Sequence, residues 1–143
     1  MKKYILKSKA FSGAVTFGYD AAGYLVFFIN EAEMTEDQLK WCSHNLPAKE
    51  EYLESYKGII KGTIEEIPMD ISFDAFWDAY GHKVNRKRCE PLWKKLSDAD
   101  KATAIMNIKP YEAFIKRHNR PKRDPENYLS PKFDFYKNQF NSL

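Results

Sequence analysis

Two runs of cations are the residues here whose types and spacing could do chemistry, and the chemistry would be phosphate binding. Residues 86 to 96 read RKRCEPLWKKL. On a helix turning about 100° per residue, Cys89, Leu92, Trp93 and Leu96 fall on one side, and Lys87, Arg88, Lys94 and Lys95 on the other. Glu90 is the only acid in the stretch, and no glutamate stands among those four cations at i+4 spacing to neutralise them. Such a ridge is either the solvated back of a core helix or a surface that holds an anion. A second cluster lies in KRHNRPKRDP, where Lys116, Arg117, Arg120, Lys122 and Arg123 surround His118. A proline-bearing loop this dense in cations suits a clamp on a nucleic-acid backbone, the plain alternative being a solvated interhelical loop. Tyr128, just beyond it, is the candidate for stacking on a base, whereas Trp77 and Trp93 sit on apolar stripes and read as core.

The division of charge favours an anionic partner for the second half. Residues 1–69 hold eight lysines, no arginine and ten acids, while residues 70–143 hold ten lysines, five arginines and ten acids. Arginine's planar fork matches phosphate better than lysine's point charge does, and every arginine lies beyond position 85.

Other chemistries find little support. His44, His82 and His118 are scattered, and Cys42 lies two residues from His44 with no second ligand pair downstream, so no metal site or cofactor is expected. Asp74 and Asp78 read as a surface acid pair or as partners of a helix N-terminus. Glu65 and Glu66 read as charge on a strand edge. No phosphate-cradling glycine loop, nucleophile elbow or catalytic constellation occurs, so no catalytic residue is assigned and the chain reads as a non-enzyme. No apolar run reaches membrane-spanning length, MKKYILKSK does not read as a leader, and the two distant cysteines suit a reducing compartment. The expected location is therefore the cytoplasm of a bacterial cell.

The elements that must carry these residues follow from periodicity. The first half reads as an antiparallel β-meander over 4–11, 14–20 and 24–30, with Val15, Phe17 and Tyr19 on one face. Thr35 and Gln38 form a capping box for a helix over about 36–46 with Leu39, Cys42 and Leu46 inward. Pro47 opens a second helix that Gly58 ends, and residues 59–67 return to strand character. Residues 68–71 join this module to a helical one. There Phe73, Phe76, Trp77 and Tyr80 make one aromatic stripe ending at Gly81. Asn85 caps the next helix, in which Pro91 makes a kink or moves the start towards Glu90. Ser97 and Asp100 make a second capping box for a helix that Pro110 interrupts, before Tyr111, Phe114 and Ile115 turn inward. Residues 119–131 read as loop.

The segment FDAFWDAYGHKVNRKRCEPLWKKLSDADKATAIMNIKPYEAFIKR, followed by DPENYLSPKFDFYKNQF, resembles the C-terminal region of phage and prophage replication-associated proteins of the replisome-organiser or helicase-loader type. Phe76-Trp77 and Ala79-Tyr80 carry the first part of that pattern, Lys83, Lys87, Trp93 and Leu96 the second, and Pro125 with Tyr128-Leu129 the third. The resemblance covers residues 73–140. Gly81 stands where a proline is usual, Pro91 interrupts the second helix, and Ser130-Pro131 followed by Phe133 replaces a more basic, tryptophan-bearing end, so base reading is not carried over. The whole chain is also similar to short stand-alone proteins of Bacteroidetes and their phages. What the resemblance implies is a DNA-associated role in a phage or mobile-element setting.

The expectation is thus an α+β chain: residues 1–69 an antiparallel meander with two helices, residues 70–143 a small basic helical bundle. The second module is expected to bind nucleic acid, DNA in preference to RNA, through Lys87, Arg88, Lys94, Lys95, Lys116, Arg117, Arg120, Lys122, Arg123 and Tyr128. The competing expectation is a module that docks on a replication or host protein, through the acidic sheet edge or the helix around Tyr52 and Tyr56.

Overall fold

Alternating apolar residues in the first half of the chain build a four-stranded antiparallel sheet in the computed structural model, which describes all 143 residues. The strands are β1 (Lys2–Ser8), β2 (Val15–Tyr19), β3 (Leu25–Asn30) and β4 (Gly62–Glu66), in the order β3-β2-β1-β4. The fold is α+β, and the chain divides into two compact units, Met1–Ile67 and Pro68–Leu143.

In the first unit the meander β1-β2-β3 is completed by β4 on the outer side of β1, with Leu6 opposite both Val15 and Ile64. Period two puts Val15, Phe17 and Tyr19 on the face that packs against Leu53 and Tyr56. The latter two are the buried residues of helix α2 (Leu53–Ile60). Tyr56 meets Phe17 edge-on at 5.8 Å, and the Tyr19 hydroxyl donates to the Pro47 carbonyl at 2.8 Å. Gly13 turns β1 into β2 at φ +82°, where a side chain would collide with the Glu31 carbonyl.

The helices of this unit depart from the sequence expectation. Helix α1 (Glu36–His44) has the capping box at Thr35 and Gln38, with both hydrogen bonds made. Its supposed inner face is open, however: Leu39 is 46% exposed and Leu46 37%. Of Leu39, Cys42 and Leu46, Cys42 alone turns inward, 3.8 Å from the Met34 sulfur and 4.0 Å from the Tyr56 hydroxyl, while Trp41 packs its ring 5.6 Å from that of Tyr56. Pro47 is a buried loop residue and opens no helix. A 3₁₀ turn at Glu50–Tyr52 leads into α2, which runs past Gly58 and ends where Lys61 adopts the left-handed conformation. Ile59 and Ile60 therefore belong to the helix and not to the returning strand.

In the second unit the aromatic stripe forms α3 (Phe73–Tyr80), with Phe76, Trp77 and Tyr80 buried. The Ser72 hydroxyl accepts from the Ala75 N–H, and Gly81, at φ +75°, stops the helix. Helix α4 (Arg86–Lys94) begins at Arg86, so Pro91 lies inside it and does not set its start. Asn85 makes no side-chain cap. It takes the left-handed conformation, its carbonyl accepts from Arg88 and Cys89, and its amide donates to Glu126 at 2.9 Å.

Helix α5 (Asp98–Met106) keeps the Ser97 cap through the Asp100 N–H. The chain breaks at Asn107, and Pro110 sits in the first turn of α6 (Ile108–Arg117), where its missing N–H costs nothing. One further turn, α7 (Pro125–Tyr128), opens with proline inside the stretch that reads as loop, and 3₁₀ turns follow at Phe135–Lys137 and Phe140–Ser142. The core of this unit is a run of rings. Trp93 stacks on Phe76 at 4.9 Å, Phe76 on Tyr80 at 5.5 Å, Tyr80 on Tyr128 at 5.0 Å and Tyr128 on Tyr111 at 5.4 Å. Phe140 closes the series 5.1 Å from Tyr111.

Candidate nucleic-acid interface

The α4 ridge arises from helical periodicity. Burial of Cys89 and Trp93 on the inner face turns Lys87, Arg88, Lys94 and Lys95 outward, and all four are exposed. Lys87, Lys94 and Lys95 form no ion pair, and Arg88 reaches Glu126 on α7 at 3.5 Å. Arg86, the fifth cation of the stretch, is already occupied. It pairs with Asp74 at 2.6 Å and Glu90 at 2.9 Å, and its guanidinium lies over Phe73 at 5.0 Å and Trp77 at 5.6 Å. Those acids hold it protonated above the ordinary arginine value. Asp74 and Asp78 are thus partners of Arg86 and Lys83.

The basic loop divides into bound and free cations. Lys122 donates to the Tyr80 carbonyl, lies 4.4 Å from the centre of the Tyr80 ring and pairs with Glu112 at 3.5 Å. Arg123 packs its guanidinium on Phe135 at 3.9 Å, while its N–H donates to the Tyr111 hydroxyl and its carbonyl accepts from Tyr80. Arg117 donates to the Phe140 carbonyl at 2.9 Å. These three tie the loop and the C-terminal turn to the aromatic core, which leaves Lys116 and Arg120 as the exposed cations of the cluster without an acidic partner. Arg88 is where ridge and loop region meet, because Glu126 belongs to the turn that directly follows the loop.

Tyr128 is not available to stack on a base as its sequence position suggests. It is wholly buried at the centre of the ring stack, and its hydroxyl donates to the Ala104 carbonyl at 2.8 Å. Burial, with the neighbouring Tyr111 and Tyr136, raises its phenol far above the usual value, so it is a neutral core residue with no face to offer a base. Tyr56, named for the competing docking reading, is likewise buried against Phe17, while Tyr52 is exposed. Lys109 on α6, exposed and unpaired, adds to the positive surface, although in sequence it stands apart from the dense cationic runs.

Burial, with Glu126 and Asp124 nearby, pushes the Cys89 thiol up to about 11, leaving it protonated and inert at neutral pH. His82 faces Asp124 at 2.9 Å, which fastens the α3–α4 connection to the residue opening α7. No group of three or more His, Cys, Asp or Glu side chains is placed to hold a metal ion, and no helix is long and apolar enough to cross a membrane.

Fold and site together define a small basic helical domain preceded by a four-stranded sheet unit. Residues 68–132, most of that helical unit, match the family described as the C-terminal domain of the Legionella vir region protein LvrA. No curated protein and no solved structure matches the chain.

Proposed function

We propose that this chain is a non-enzymatic nucleic-acid-binding accessory protein of phage or mobile-element type, linked to DNA replication, that holds DNA mainly through its phosphates. The observation that carries the reading is the outer face of α4, where four exposed cations stand together and three have no acidic partner. A ridge selected only for solubility would mix signs along the helix. The resemblance of residues 73–140 to phage replication accessories supports the setting, and the match to a Legionella vir region protein domain is compatible with it.

Five unpaired cations, Lys87, Lys94, Lys95, Lys116 and Arg120, meeting duplex phosphates would give a slope of log K against log salt of about −4.5. Affinity then falls roughly 500-fold between about 50 and 200 mM salt. The test is fluorescence anisotropy with labelled DNA, comparing the wild type with a variant combining Lys87→Glu, Arg88→Glu, Lys94→Glu and Lys95→Glu whose fold is verified by circular dichroism. Micromolar or tighter binding that weakens steeply with salt and vanishes in the variant upholds the reading. No binding at the lower salt overturns it.

A second reading, docking on a replication or host protein, is favoured by one observation. Leu39 and Leu46, on and just after α1, are exposed apolar side chains, and Trp41 is 36% exposed beside them in sequence although its ring packs 5.6 Å from Tyr56. Binding that tolerates salt and is lost on Trp41→Ala would select it.

A further inference from the structure

We infer that the α4 ridge is a reader of duplex backbone that discriminates against single strands, an inference that rests on the nucleic-acid reading above. Proteins that hold single strands join a basic groove to exposed aromatic rings on which successive bases stack. This unit is rich in rings but turns them inward: Phe76, Tyr80, Trp93, Tyr111, Tyr128, Tyr136 and Phe140 are core, and Trp77 is buried beneath Arg86. Phe133, 63% exposed, is the unit's one exposed Phe, Tyr or Trp, the other exposed aromatic rings being the imidazoles of His82 and His118. It is in the C-terminal segment, away from α4 in sequence, with Lys132 5.3 Å from its centre.

Charge density points the same way. Lys87 and Lys94 are two helical turns apart, a rise of about 10 Å. Along that length a duplex presents about six phosphates and one strand about three. With Arg88 held at Glu126, the three unpaired ridge cations have about twice as many phosphates to meet on a duplex as on one strand, and no exposed Phe, Tyr or Trp on α4 adds stacking on a single strand.

The experiment titrates the full chain against a fluorescein-labelled single strand of about 20 nucleotides and the matching duplex, at several salt concentrations. The wild type and Phe133→Ala are compared. The expected result is duplex binding at least tenfold tighter, with Phe133→Ala leaving both affinities within about twofold. Single-strand affinity equal to or above duplex affinity overturns the inference while leaving the nucleic-acid reading intact, as does a tenfold loss of single-strand binding in Phe133→Ala. Absence of binding to either probe overturns both.

Discussion

Tyr80 and Tyr111 grip the same residue from opposite sides: the Tyr111 hydroxyl accepts from the Arg123 N–H at 2.8 Å, and the Tyr80 hydroxyl donates to the Arg123 carbonyl at 2.5 Å. Two core rings from α3 and α6 thereby fix the backbone of the basic loop before any ligand arrives. Phenylalanine at position 111 strands the Arg123 N–H, at an expected cost of about 1–3 kcal/mol. Because the two hydroxyls hold one residue, the Tyr80→Phe and Tyr111→Phe losses should be non-additive in urea unfolding. Faster hydrogen exchange of the Arg123 amide in Tyr111→Phe would locate the effect.

Tyr128 separates packing from recognition. Tyr128→Phe removes the bond to the Ala104 carbonyl and should cost about 1–2 kcal/mol in chemical denaturation. Tyr128→Ala also empties the centre of the ring stack, with a loss of about 3–5 kcal/mol. DNA affinity of the folded Tyr128→Phe protein should stay at the wild-type value, since the ring is enclosed.

Neighbouring cations of α4 should behave differently. Arg86 is held by two carboxylates and two rings, so Arg86→Ala should slightly lower the melting temperature and leave DNA affinity within about twofold. Lys94→Ala should do the reverse, leaving the melting temperature unchanged while reducing the steepness of the salt slope by about one.

The two thiols should differ in reactivity and in their effect on pH stability. Cys42 is partly exposed and should react first with a thiol reagent, whereas Cys89 should react only when the helical unit opens, as peptide mapping would show. The folded-state value for Cys89 is raised from 9.0 to about 11, so its neutral form is favoured by folding. Its contribution is complete below pH 9 and is lost as pH rises towards 11, because the unfolded thiol releases its proton first. Stability measured across that window should fall less steeply in Cys89→Ala than in the wild type.

Gly13 is a sharp test of the hairpin. A Cβ there would stand 2.6 Å from the Glu31 carbonyl oxygen and 2.9 Å from the Ala32 Cα, with φ already left-handed. Gly13→Ala should cost more than about 1 kcal/mol in thermal or urea unfolding.

Local order was legible wherever one periodic face met one buried layer. Val15, Phe17 and Tyr19 declared β2, the Phe73 to Tyr80 stripe declared α3, and the opposed faces of residues 86–96 declared the ridge, because a period of two or 3.6 residues by itself decides which side chains share a face. Periodicity does not decide whether anything covers that face. Helical spacing assigns Leu39 and Leu46 to the face of Cys42, yet α1 ends at His44 before Leu46, Leu39 is exposed, and Cys42 is the one of the three that meets Met34 and Tyr56.

Tertiary structure alone sorted the cations into bound and free. Lys122 and Arg123 find Tyr80 and Tyr111 from 42 and 12 residues away, and Arg117 finds Phe140 from 23, separations over which a sequence carries no periodic signal. The same holds for Tyr128, whose one-turn helix in a proline-bearing stretch is too short to show a pattern and whose burial depends on Phe76, Tyr80 and Tyr111 closing around it. The sequence by itself determined the α+β class, the sheet, the aromatic helix and a positive outer face on α4. Which charges remain available to a ligand was decided only when distant carbonyls, rings and carboxylates were brought within hydrogen-bonding reach.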